Sequence, residues 1–193
     1  MQIDGKTCIE YAYDLLGRCK KKTQIYPSGK KKEITYTYVQ GIKEGTTTAL
    51  VGTITENGKE TAYTYDGRGN ILEICTKALD TGKVTDHMLY TYNGMNQVIR
   101  EEDAVRGRTF TYAYDLGGNL LENKKYDQVN GVEELRGTDT YTYNSDWKDQ
   151  LTSFNGKAIT YDAMGNPLSY MGMNLTWEKG RQLKTLKKSG TLS

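Results

Sequence analysis

Tyr63-Thr-Tyr-Asp-Gly-Arg-Gly-Asn70 reads as the end of a β-strand running into a turn. Tyr63 and Tyr65 fall on one side of an alternating strand. Asp66 can accept a main-chain N–H two residues on, and Gly69 supplies the left-handed conformation that closes a longer hairpin loop. The same pattern returns as Tyr11-Ala-Tyr-Asp-Leu-Leu-Gly-Arg18, Tyr90-Thr-Tyr-Asn-Gly-Met-Asn-Gln97 and Tyr112-Ala-Tyr-Asp-Leu-Gly-Gly-Asn119, with weaker copies starting at Tyr36, Tyr141 and Ile159. The first turn position is Asp14, Asp66, Asn93, Asp115 or Asp162, and the fourth is Gly17, Gly69, Asn96, Gly118 or Gly165. Asn96 keeps the rule, because asparagine tolerates a positive φ better than other side chains do. From Tyr36 onward the copies begin 27, 27, 22, 29 and 18 residues apart, so length differences belong to loops.

A second set of turns lies between these: Ser28-Gly29, Asn57-Gly58, Thr81-Gly82, Asn130-Gly131 and Asn155-Gly156. Asn-Gly between alternating strands is the strongest short hairpin signal. Two turn classes that alternate predict an all-β antiparallel meander, with one class on each edge of the sheet. About sixteen strands are expected, the first near Thr7 to Tyr13 and the last near Arg181 to Leu186. We expect one repeat domain over 1–193, with shorter hairpins from about 138, and a single sheet that curves, since flat open sheets of this width are rare. Ile34, Tyr36 and Tyr38 share one face of their strand, as do Met88, Tyr90 and Tyr92, then Phe110, Tyr112 and Tyr114, then Ile159 and Tyr161, then Leu175 and Trp177. The opposite face carries Thr35, Thr37, Thr109, Thr111, Ala113, Thr140 and Thr142. Aromatic neighbours across the strands are therefore expected to hold the sheet by ladders rather than by a deep core.

Composition agrees. There are 16 Tyr and 21 Gly but only 2 Phe and 2 Pro, and hydrophobic residues reach 36%, too few for a conventional two-layer core. Disordered chains are poor in aromatic and β-branched residues, and this one is rich in both. A net charge of +2 offers no field to gather phosphate backbones or anionic lipid, which disfavours nucleic-acid and membrane partners. No apolar run approaches the length of a membrane span, and Met1 to Glu10 lacks the apolar middle of a signal peptide. Cys8, Cys19 and Cys75 are odd in number and form no CxxC, so neither zinc nor a disulfide framework is expected. A hairpin turning at Asp14 to Gly17 is expected to set Cys8 opposite Thr23 and Cys19 opposite Ala12, which keeps those thiols apart.

The repeated Tyr-x-Tyr-Asp-x-x-Gly-Asn/Arg pattern resembles the YD repeat of the Rhs family, and the likeness runs from Tyr11 to about Leu186. The stretch from Asp149 to Pro167, with Leu175-Thr-Trp-Glu-Lys-Gly-Arg-Gln-Leu183, resembles the late repeats of such proteins from Gram-positive bacteria. The resemblance implies a strip of β-sheet wound into a hollow shell, which encloses a C-terminal toxic domain in bacterial polymorphic toxins and belongs to an adhesion ectodomain in teneurins. It implies an extracellular or cell-surface parent protein, with the rest of the shell and an enclosed toxin domain as partners. A chain of 193 residues would supply only part of such a wall. The Asp-Pro-x-Gly motif that carries self-cleavage in the family is absent, so that activity is not implied.

Other constellations have simpler explanations. His87 is the only histidine and sits mid-strand on the threonine side, with no nucleophile in a recognisable spacing. The recurrent aspartates are turn formers rather than calcium ligands, because no alternating run of acids occurs. Gly67-Arg-Gly-Asn70 and Gly117-Gly118 are turn glycines, not phosphate loops. Lys20-Lys21-Lys22 and Lys30-Lys31-Lys32 read as charged protection of strands against edge pairing. Asn174-Leu175-Thr176 fits a glycosylation triplet, a match taken as empty in a bacterial chain. The expectation is a chain with no catalytic residue, cofactor or metal. The competing use of the aromatic face is sugar stacking, for which Tyr90, Tyr112 and Trp177 are the candidates; open sheet edges also admit self-association.

Overall fold

The computed structural model describes residues 2–3 and 6–188. No helix occurs among them. The strands are β1 (Gln2–Ile3), β2 (Lys6–Thr7), β3 (Ile9–Tyr13), β4 (Cys19–Ile25), β5 (Lys31–Gln40), β6 (Thr47–Glu56), β7 (Lys59–Tyr65), β8 (Ile71–Ala78) and β9 (Val84–Tyr92). They continue as β10 (Val98–Asp103), β11 (Arg108–Tyr114), β12 (Leu120–Val129), β13 (Val132–Tyr143), β14 (Leu151–Phe154), β15 (Lys157–Ala158), β16 (Ser169–Tyr170), β17 (Met173–Glu178) and β18 (Gln182–Lys188). Strands β3 to β15 form a thirteen-stranded sheet in unbroken sequence order, the expected antiparallel meander. β16 to β18 form a three-stranded sheet and β1 and β2 a two-stranded one among the described residues. The first long strand begins at Ile9 rather than Thr7, and the last runs to Lys188 rather than Leu186.

The chain packs as two compact units. One comprises residues 1–96 and 101–107, the other 97–100 and 108–193.

In the first unit the β3–β4 hairpin shows how the repeat is built. Glu10 pairs with Thr23 and Ala12 with Lys21, but Tyr13 pairs with Cys19, so Lys20 is an extra residue bulged from β4. Cys19 therefore faces Tyr13, not Ala12, and Thr23 faces Glu10, not Cys8. The cause is the left-handed residue that closes the loop, Gly17 at φ 76°, which adds a bulge and shifts the register. The same bulge recurs before Tyr38, where Gly52 is extra, and before Tyr65, where Leu72 is extra. In the second unit it recurs before Tyr114, Tyr143 and Trp177, with Leu121, Thr152 and Lys184 extra.

The second turn class behaves as its composition demands. Asn57-Gly58, Asn130-Gly131 and Asn155-Gly156 carry φ of 50/71°, 53/79° and 50/74°, the double positive φ of a type I′ hairpin. One further turn of that conformation, Met171-Gly172 (49/76°), lacks the asparagine that would have announced it, and the three-residue loop between β17 and β18 also carries two positive φ angles, at Lys179 and Gly180 (47/86°). Packing is shallow, as expected. Among the described residues Ile159 is the one apolar side chain that is buried, and Thr109, at 1% exposure, is the most enclosed of all. The strand faces alternate, with Ile34, Tyr36 and Tyr38 half-buried and Glu33, Thr35 and Thr37 exposed. Thr37 and Thr53 share a hydroxyl contact of 2.8 Å on that open face, while Thr61 and Thr76 make one of 2.9 Å on the tyrosine face.

Tyr63, Tyr65, Tyr112 and Tyr114 do not face other aromatics, whereas Tyr141 faces Phe154. The register sets Tyr63 against Ile74, Tyr65 against Ile71 and Tyr114 against Leu120, because each return strand opens with an aliphatic residue. The ring contacts of Tyr141 with Phe154 (5.2 Å) and Phe154 with Tyr170 (6.0 Å) lie among the late hairpins.

Candidate functional site

Hairpins must also be joined to one another, and the joint is where the recurrent residues meet. β4 and β5 pair from Ile25 and Lys31 up to Lys21 and Thr35, and there the ladder stops. Two residues further along β4, the carbonyl of Cys19 takes the hydroxyl of Tyr38 at 2.8 Å instead of an amide. β6 and β7 stop at Thr53 and Ala62, and the carbonyl of Val51 takes the hydroxyl of Tyr65 at 2.8 Å. β8 and β9 stop at Glu73 and Leu89, and the carbonyl of Ile71 takes the hydroxyl of Tyr92 at 2.7 Å.

The second unit repeats the arrangement. Tyr114 donates to the carbonyl of Val98 at 2.8 Å, Tyr143 to that of Leu120 at 3.0 Å and Tyr161 to that of Leu151 at 2.6 Å. In the three-stranded sheet a tryptophan replaces the tyrosine: Trp177 donates its indole N–H to the carbonyl of Pro167 at 2.7 Å. Burial raises the pKa of Tyr65, Tyr92, Tyr114, Tyr143 and Tyr161, which keeps the proton on each hydroxyl and preserves the donor. From Tyr38 onward the aromatic residue just before each turn is thus a latch between consecutive repeats. A buried carbonyl left without it would lose its partner at a cost of about 1–3 kcal/mol.

The turn residues form a second row. Oδ1 of Asp66 accepts the main-chain N–H of Arg68 and of Asn70, each at 2.9 Å, while Oδ2 accepts Nδ2 of Asn70 at 2.8 Å. Asp115 holds Gly117 and Asn119 in the same way, and Asp162 holds Met164 and Asn166. These asparagine side chains hold the three carboxyls below the usual range. Gly69, Gly118 and Gly165 take φ of 89°, 92° and 80°, Gly17 takes 76° and Asn96 takes 61°. The residue after each glycine then reaches the next loop. Arg18 donates to Oγ1 of Thr47 at 3.0 Å, Asn70 to Oδ1 of Asn96 at 3.0 Å, Asn119 to the carbonyl of Lys148 at 3.2 Å and Asn166 to that of Gly180 at 2.8 Å. Asn93 holds the N–H of Met95, and Arg18 lies over the ring of Tyr38 at 4.0 Å.

Tyr11 and Tyr13 differ from the other repeats in being exposed, at 47% and 60%, and their rings stack at 6.3 Å. The sugar-stacking candidates are less open: Tyr90, Tyr112 and Trp177 are all half-buried, and the indole N–H of Trp177 is already committed. His87 is half-buried with Nε2 2.7 Å from Oε1 of Glu73, and it faces Cys75 across the ladder. The lysine clusters are partly paired, Lys21 with Glu33 at 2.5 Å and Lys32 with Glu56 at 2.6 Å. Cys8, Cys19 and Cys75 form no disulfide with one another. Among the described residues no group of three His, Cys, Asp or Glu could hold a metal ion, and no helix is long and apolar enough to cross a membrane.

Two charged clusters were not read from the sequence, since each draws at least one member from a distant strand. Glu133 accepts hydrogen bonds from Arg100, from the buried Thr109 at 3.0 Å and from Gln128 at 3.1 Å. Asp103, 7% exposed, accepts the main-chain N–H of Arg106 at 2.9 Å and its guanidinium at 2.8 Å, and Arg106 also reaches Asp86 at 3.0 Å.

No protein-family model matches the chain, and no curated protein does. Solved toxin-complex structures share its fold. A crystal structure of TcdB2-TccC3-Cdc42 superposes with a TM-score of 0.65 at 18% identity, covering 92% of this chain and 11% of that one. A structure of TcdB2-TccC3-TEV gives the same TM-score, identity and coverage. The Tc holotoxin pore of Photorhabdus luminescens, carrying a mutation in TccC3, gives 0.58 at 17% identity with the same coverage. The chain thus spans 11% of the length of the chains it resembles.

Proposed function

We propose that this chain is a non-catalytic scaffold segment of a YD-repeat protein, contributing latched hairpins to a wall that encloses a C-terminal toxin domain of an exported parent. The observation that carries the reading is the unbroken use of the second aromatic of each pair, Tyr38 to Trp177, as a donor to the preceding repeat. Residues spent on holding a strip together in register describe a wall rather than a reaction site. The fold shared with a tenth or so of each large toxin-complex chain supports a role inside a larger assembly. A carbohydrate-binding module is the second reading, and the half-burial of Tyr90, Tyr112 and Trp177 weighs against it.

The two readings separate in one paired measurement. Tyr90→Ala and Tyr112→Ala are melted, and the wild type is applied to a glycan array. A scaffold predicts lower melting temperatures and no retained glycan. Unchanged melting together with saturable glycan binding, lost in both variants, overturns the scaffold.

A further inference from the structure

We infer that the turn of the β4–β5 hairpin and the neighbouring Asn57 turn form a docking groove for a short acidic peptide segment of a partner protein. The lysine runs that lead to it, expected to protect an edge, lie on none. β4 pairs with β3 on one side and β5 on the other, and β5 pairs with β4 and β6. Seven of the chain's 26 cations and none of its 24 acids fall within Arg18 to Lys32. Crowding like charges on adjacent strands works against the sheet, and protection of an edge does not account for it here.

The groove encloses about 660 Å3, and its lining includes Tyr26, Ser28, Lys30, Lys31, Lys32 and Asn57 but no carboxylate. Lys32 is already held by Glu56 at 2.6 Å, whereas Lys30 and Lys31 make no ion pair among the described residues. Ser28, Lys30, Lys31 and Asn57 are all exposed, and Tyr26 is 38% exposed. Their ammonium, hydroxyl and carboxamide groups all donate hydrogen bonds, and the bonds that a carboxylate takes from charged donors are the strong ones. An acidic segment therefore complements the groove in charge, which steers encounter and selects the partner. Two unpaired cations match a few carboxylates. A nucleic-acid backbone calls for a longer run of phosphate contacts, and a lipid surface for an apolar face, which this lining does not provide.

Fluorescence anisotropy of labelled poly-L-glutamate titrated with the full chain tests the inference. The double variant Lys30→Glu/Lys31→Glu is compared with Lys83→Glu/Lys157→Glu, which reverses as much charge away from the groove. All four side chains are exposed, and melting temperatures no lower than that of the wild type confirm that both variants fold. The wild type is expected to bind, and to release the polymer as salt rises. The groove variant should bind roughly tenfold more weakly, the worth of two exposed ion pairs and their reversal, while the control binds like the wild type. A wild type that does not bind overturns the inference, as does binding that survives in the groove variant or falls equally in the control. Tighter binding of a DNA duplex or of phosphatidylserine vesicles in the same titration also overturns it. None of these results touches the scaffold reading, which is decided by melting and glycan retention.

Discussion

The hydroxyl of Tyr65 donates to the carbonyl of Val51 at 2.8 Å, just where the ladder between β6 and β7 has ended. The contact replaces an amide by a side chain, and its loss leaves the carbonyl with nothing in its place. Tyr65→Phe keeps the ring and removes only the donor. We expect it to cost about 1 kcal/mol and to lower the melting temperature by about 2–4 °C for a chain of this length. Tyr63→Phe, one strand position away on the same face and without a hydroxyl contact among the described residues, should melt like the wild type. Equal melting of the two variants would remove the latch.

Acid should loosen the turns. Asp66, Asp115 and Asp162 are held below their ordinary value of 3.8 by asparagine side chains and main-chain N–H groups. A depressed carboxyl stabilises the fold fully above the unfolded value, and that contribution disappears as pH falls through the lower, folded one. Melting temperature should therefore be flat above pH 3.8 as far as these groups are concerned, and fall below it. Asp115→Asn should melt lower at neutral pH yet lose less on acidification than the wild type, which a pair of melting-versus-pH curves reads directly.

Turn conformation makes a prediction of opposite sign at two places. Met171 and Lys179 sit at φ 49° and 47°, a region costly for their side chains and tolerated by asparagine. Met171→Asn and Lys179→Asn should each raise stability by about 0.5–1 kcal/mol in urea titrations. Gly69→Ala should lower it by about 1–2 kcal/mol, since φ is 89° and an added Cβ meets nothing within 4 Å, leaving strain as the whole effect. A neutral Gly69→Ala would contradict the turn geometry.

Glu133 ties three side chains, and one of its donors, Thr109, is 1% exposed. Glu133→Ala is expected to cost about 2 kcal/mol, the worth of charge-assisted hydrogen bonds to a partly buried group. Once the carboxylate is gone, Thr109→Val should cost less than it does in the wild type. A double-mutant cycle measures this coupling, and additive costs would show that the two side chains act separately.

Most of the turns are legible in the amino-acid sequence, because a positive φ favours glycine and asparagine, and both stand at the required spacing; Met171 and Lys179 are the residues that hide theirs. Register is less legible. The bulge that places Cys19 against Tyr13 arises from the closing residue of the loop and adds one position that strict alternation does not contain. The latch leaves only a trace in composition, 16 tyrosines against 2 phenylalanines. Packing alone accepts either ring; a hydroxyl at residues 38, 65, 92, 114, 143 and 161 is needed only if something across the strand must be hydrogen-bonded. The pairings of Glu133 with Arg100 and Thr109, and of Arg106 with Asp86, join residues from separate strands, and no local pattern encodes such a meeting.

The two ends of each inter-repeat joint are built of different material, and this gives the strip a mechanical grain. Near the short Asn-Gly turns a pull meets a ladder of main-chain bonds that must shear together. Near the aspartate turns it meets only a few side-chain bonds per repeat, as between Tyr92 and Ile71 and between Asn70 and Asn96, which can part before those of the next repeat are loaded. Force applied along that second edge peels the hairpins one at a time, like perforated paper, while the same force at the other edge is shared by the whole seam.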